Sequence, residues 1–224
     1  MIIVRRCRWY LGFVAILSGA AGARADLLYA TGEPGIADAG GYLLREDQFY
    51  GARFRVTAPT EITSVGGHLW ASEPNSGLFA AIVRLDSGQS LPKGSPFGAG
   101  EVLASGAYAL QSGPSREYDF PLAVSLVPGD YGLVLGDGRF GDPVGGYGAV
   151  STSISDAPDS SYFLWAGPIL DFWSENVWPP DVGTRLTLSG SGAISAIPEP
   201  GISAIFWIGG SVLFWLRRSS RCRG

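Results

Sequence analysis

Histidine and cysteine are nearly missing from this chain: of its 224 residues, one is His68 and two are Cys7 and Cys222. A single histidine excludes a histidine-rich metal site, and any Ser-His-Asp relay would depend wholly on His68. No nearby serine lies in a nucleophile-elbow pattern. Isolated between Gly67 and Leu69, His68 reads as a structural or surface residue before it reads as a catalyst. Both cysteines fall in the basic ends of the chain, so the body between them has no thiol for a zinc site or a disulfide framework. It must hold together by its core alone. Charge is scarce too, at 16%, and outside the two ends no window carries a sustained helical stripe. No internal repeat of fixed period is present either.

What the chain does have is glycine (33) and proline (15), a balance that weakens helices and suits short strands joined by turns. Its formal charge of −4 hides an asymmetry. Arg5, Arg6, Arg8 and Arg24 lie at the front, and Arg217, Arg218, Arg221 and Arg223 at the back. Residues 26–197 carry 8 basic against 19 acidic side chains, about −11. An acidic body offers no basic face for phosphates, which argues against a nucleic-acid partner.

Short apolar runs bounded by Gly, Pro, Asn, Asp and Ser recur through the body. They predict strands over Phe49–Val56, Ile62–Trp70, Leu78–Leu85, Glu101–Leu110, Glu117–Val124, Asp130–Leu135, Ser161–Ala166 and Thr184–Ser189. In the first of them Tyr50, Ala52, Phe54 and Val56 alternate with Arg53 and Arg55, as on a strand with one buried face. Turns are expected at 73–77, 128–130 and 136–138. About eight such strands suggest an all-β fold, an antiparallel jelly-roll-like β-sandwich over 26–188. The Ser-Gly-rich stretch 189–196 reads as a flexible linker.

The ends carry the clearest signals. Arg5, Arg6 and Arg8 precede an apolar run from Trp9 to Ala23, and Ala23-Arg24-Ala25 then forms a small-x-small exit before Asp26. This is the pattern of a secretory signal peptide, residues 1–25, cleaved at the site marked by Ala23 and Ala25. The residues around Arg5-Arg6 do not suit a twin-arginine route, and Cys7 precedes the apolar run, so it is no lipoprotein cysteine. Pro198-Glu199-Pro200 is followed by a 16-residue apolar segment, 201–216, and then by the arginine tail. As a helix that segment is roughly 24 Å long, slightly short for a hydrocarbon core of about 30 Å. Arginines at both ends place both tips in the cytoplasm and the body on the far side of the membrane.

Pro-Glu-Pro, a short apolar helix and an arginine-rich terminus, in that order within residues 197–224, resemble the PEP-CTERM sorting signal of Gram-negative bacteria. The stretch from Leu126 to Gly141 also resembles a pattern common in the bodies of those proteins. The resemblance implies an exosortase as partner, a membrane cysteine protease that removes the helix. It further implies a transient membrane anchor, and then release or transfer to the cell surface, in hosts that often make exopolysaccharide or biofilm. Pro198 and Pro200 keep the backbone extended just outside the bilayer, where a protease can engage it. The expected class is an exported, non-enzymatic surface or matrix protein without cofactor.

Two other readings remain. Trp165, Trp173 and Trp178, with Phe172, Tyr147 and Tyr162 nearby, crowd one segment beside Asp171, Glu175 and Asp181. Such rings either stack on a glycan, making the chain a secreted carbohydrate-binding module, or cap the core. Carboxylate pairs such as Glu46-Asp47 or Asp156 with Asp159 could serve a hydrolase, if a cleft held them about 5–10 Å apart; solvated loop charges are the simpler reading. Asp137 and Asp142 are hard oxygen donors of the kind calcium takes. With no EF-hand pattern, Asp-Gly is first of all a turn, and no metal ligand is assigned.

Overall fold

The computed structural model describes residues 25–34, 41–142, 148–154, 162–167, 172–175 and 182–197. Among these there is no helix; the chain forms two seven-stranded antiparallel sheets. The first holds β1 (Asp26–Ala30), β2 (Gly41–Leu44), β4 (Thr60–Ala71), β7 (Gly113–Leu126), β9 (Gly148–Ile154), β12 (Val182–Thr184) and β13 (Leu186–Ser191). The second holds β3 (Gln48–Val56), β5 (Ser76–Leu85), β6 (Val102–Leu110), β8 (Gly129–Gly136), β10 (Tyr162–Ala166), β11 (Phe172–Glu175) and β14 (Ile194–Ala196). All eight predicted strands are present, β13 beginning two residues later than the run that predicted it.

Between the sheets lies the main core. Tyr50, Ala52, Phe54 and Val56 of β3 face Ile62, Val65 and Leu69 of β4, all buried. That is the alternation read from the sequence, now matched by residues of the opposite sheet. The predicted turn at 73–77 joins β4 to β5, with Asn75 at φ 61° and the Ser76 hydroxyl donating to the Glu73 carbonyl at 2.9 Å.

The second sheet is buried on its other face as well. Phe49, Phe79, Ala81, Val83, Val134, Phe163, Trp165 and Trp173 form a separate apolar cluster there, with Leu91 and Phe97 of the β5–β6 connection packed against it. This is why Leu78–Val83 is an unbroken apolar run instead of an alternating one: a strand covered on both faces needs apolar side chains on both. Arg53, opposite the core-facing residues of β3, is therefore not solvated. It is 2% exposed, donates from Nε to the Ser90 carbonyl at 2.9 Å, and pairs with Glu175 at 3.1 Å.

The sequence reading of 189–196 as a flexible linker is corrected. Ser189–Ser191 complete β13, which pairs with β4 through Ser191↔Glu61, and Ile194–Ala196 pair with β3 as β14. Gly192, at φ 127°, turns the chain from one sheet to the other, in a space where a Cβ would lie 2.4 Å from the Thr60 hydroxyl. Glycine here supplies a corner and close approach, not slack.

Candidate functional site

The Trp-rich segment occupies the second core. Trp165 stacks on Phe49 at 4.8 Å, and Trp173 meets the edge of Phe163 at 5.2 Å. Each indole is 6% exposed. Register explains the cluster: Trp165 of β10 lies opposite both Phe49 of β3 and Trp173 of β11, so three rings share one face. Trp173 Nε1 donates to the Pro96 carbonyl of the covering connection, whereas Trp165 Nε1 is buried without a partner. Of the two roles open to these rings, Trp165 and Trp173 take the core-capping one in this arrangement. Among the described rings of this group only Phe172 is exposed, at 51%, while Tyr162 belongs to the main core. Glu175 is committed to Arg53. Trp178, Tyr147, Asp171 and Asp181 lie outside the described residues.

His68 lies on the outer face of the first sheet. Leu69, Val150 and Leu186 point into the core, so the preceding or following neighbours His68, Ser151 and Arg185 point outward. The imidazole is 5% exposed and Ser151 fully buried, yet His68 Nδ1 and Ser151 Oγ each lack a hydrogen-bond partner. They are thus not joined as nucleophile and base. Glu117, the acid opposite His68 in register, forms an ion pair with Arg185 at 3.0 Å.

Two carboxylates do meet. Asp137 and Asp142 close the loop after β8, and both accept from the Gly138 N–H, at 2.8 and 2.9 Å. Burial, then the hydrogen bond to Asp142, pushes the Asp137 carboxyl up to about 6. Asp142 is raised as well, by burial. The pair therefore shares a proton more readily than two solvated acids would. Glu46 packs against the same loop, where a Cβ on Gly138 would lie 2.6 Å from its own. Among the described residues no group of three or more His, Cys, Asp or Glu is placed to hold a metal ion. Asp156 and Asp159 lie outside the described residues.

The residues beside the two segments expected to be signals can be placed in part. Ala25 is exposed and stands immediately before β1. At the other end Ile197 is 2% exposed, directly after β14. Ala23, Pro198, Glu199, Pro200, Arg217, Arg218, Arg221 and Arg223, with the apolar segment 201–216, lie outside the described residues. The docking of 194–197 is what sequence reasoning missed. Its only local signal was Ile194 and Ile197 standing in an otherwise small-residue stretch. No protein-family model matches the chain, and no curated protein matches it either.

Proposed function

We propose that this chain is an exported, non-enzymatic surface or matrix protein, sorted by an exosortase and serving an exopolysaccharide-rich envelope or biofilm. The observation that carries the reading is that strands lie directly beside both sequence signals. β1 opens at Asp26, the first residue after the Ala-x-Ala exit, and the docked chain reaches Ile197, one residue before Pro198. β1 and β14 also touch one another, so the first and last strands of the body lie together. A body tethered at both ends to one membrane face, as arginines at both tips require, is served by that arrangement.

On this reading residues 1–25 direct export, and 201–216 hold the chain in the membrane only until the protease acts. The sandwich itself is read as jelly-roll-like. Support comes from the connections: β3, β4 and β5 change sheet at each step, as do β6, β7, β8, β9 and β10. The acidic body, about −11 over 8 basic and 19 acidic residues, suits a soluble, self-repelling product.

Intact mass of the protein from its native host, with and without the exosortase, tests the proposal. Loss of residues 1–25 in both strains, and of the segment after Pro200 only with the enzyme, is the expected result. A product keeping Leu216 and the arginine tail in both strains would make the chain an ordinary membrane-anchored protein.

A further inference from the structure

Resting on the sorting reading above, we infer that β14 is a latch, and that the sorting protease acts on the chain only when this strand has left β3. The latch is built from three backbone pairings, Ile194↔Val56, Ser195↔Arg55 and Ala196↔Phe54. Its entry is fixed at Ala193, whose carbonyl accepts from the Thr57 N–H at 3.1 Å and whose N–H donates to the Thr60 hydroxyl at 3.2 Å. Its exit is fixed by Ile197. A Cβ added to Gly88 would lie 2.8 Å from Ile197 Cγ2 and 3.1 Å from Arg55 Nη2. The isoleucine thus sits in a notch that exists because residue 88 has no side chain. Arg55, bordering the notch, is itself held by Asp130 at 2.7 and 3.2 Å.

The Pro198-Glu199-Pro200 motif begins at the next residue. Proteases take substrate as an extended strand whose main-chain groups pair with the enzyme. A protease that pairs with the edge of 194–196 now bound to β3 competes with that strand for its main-chain groups. One chain edge cannot serve both partners fully, and the side chain of Ile197 is buried in the latched form. The latch is also short. Ser195 and Ala196 are exposed, leaving Ile194 and Ile197 as its apolar anchors. A three-pair strand at the end of a domain opens far more often than the whole body unfolds, so processing proceeds through a minor open state. An early unfolded chain is open by default, whereas a folded one is cut at a rate set by the latch.

Two variants act on the latch without altering residues 197–224. Gly88→Val fills the notch from a site distant in sequence, and Arg55→Cys with Ser195→Cys can staple the register pair through a disulfide. Full-length chains in membranes carrying the sorting protease would be followed by intact mass, with and without reductant. Amide exchange at Ser195, whose N–H faces β3 in this register, would be measured on the same chains in detergent. Gly88→Val is expected to speed exchange and cleavage together, by roughly threefold or more if the notch contributes as one buried aliphatic contact does. The oxidised staple should slow cleavage at least tenfold, with recovery on reduction. If wild type is cut while both variants are cut at its rate, the latch is wrong and the sorting reading stands. Unchanged exchange in Gly88→Val likewise overturns the role given to Ile197. A wild-type chain that is never cut with the protease present overturns the sorting reading, and the latch with it.

Discussion

The phenol oxygen of Tyr162 serves Thr184 twice, donating to its carbonyl at 2.6 Å and accepting from its N–H at 3.1 Å. Tyr162 stands on the second sheet and Thr184 on the first, so this pair ties the layers together inside the core. Thr31 extends it, its hydroxyl accepting from the Leu186 N–H at 2.9 Å, and the Thr184 hydroxyl donates to Tyr50 at 3.1 Å. The bonds fall where the partner of β4 changes from β13, paired up to Gly67, to β9, paired from Leu69, a junction whose main-chain groups need partners outside the ladder.

Tyr162→Phe keeps the ring and removes that bridge. The Thr184 N–H is then left buried and unpaired, which costs about 1–3 kcal/mol. Urea unfolding should show the loss as a lower midpoint at unchanged slope. A midpoint equal to wild type would mean that water replaces the phenol without penalty.

Arg53 and Glu175 form an asymmetric pair, with side-chain exposures of 2% and 59%. Burial lowers the Arg53 pKa and Glu175 draws it back up. Removing the exposed partner should cost little: Glu175→Gln is expected to lower stability by less than about 1 kcal/mol, as exposed ion pairs do. Arg53→Ala removes the bond to Ser90, the stacking on Phe163 at 5.6 Å and the packed stem together. About 2–4 kcal/mol is expected there. Equal losses in the two variants, read from the same unfolding curves, would overturn this division.

These contacts mark how far local pattern reached. The alternation in Phe49–Val56 correctly sent Tyr50, Ala52, Phe54 and Val56 to the core, because a strand's two faces are written in adjacent residues. It assigned Arg53 to solvent, since nothing near residue 53 announces that the connection 86–101 will lie over it. The 189–196 stretch failed for the same reason. Its Ser-Gly composition is that of a linker, and its strand exists only because the edge of β3, far away in sequence, is left open where β10 ends. The tryptophans were legible as a cluster, but whether their faces met sugar or protein depended on that same covering connection.

The Asp137–Asp142 pair sets a pH dependence whose sign differs from that of a salt-bridged acid. With Asp137 raised from 3.8 to about 6, the folded state binds the shared proton more tightly than the unfolded chain does. The stabilisation this brings is present at acidic pH and is lost as pH rises from about 4 to about 6. Asp137→Asn keeps an oxygen for the Gly138 N–H and a donor for Asp142, without the second charge. The variant should melt above wild type at pH 7.5 and converge with it near pH 4. A gain that is the same at both pH values would point to a packing effect instead.

Trp173 gives the sharpest test of core against ligand. Its ring contacts Phe49, Phe97 and Phe163 at 6.4, 5.8 and 5.2 Å between centroids, and its Nε1 holds the Pro96 carbonyl. Removing a buried ring forfeits its transfer energy and leaves a cavity, so Trp173→Ala should cost about 3–5 kcal/mol. Trp173→Phe should recover most of that while still losing the bond to Pro96. A ring kept for stacking on sugar would behave otherwise, since its removal would abolish glycan retention and leave the unfolding midpoint within about 0.5 kcal/mol of wild type. Thermal or urea unfolding run beside a glycan array separates the two, and a stable Trp173→Ala protein that had lost binding to one glycan would return this segment to the ligand-contact reading.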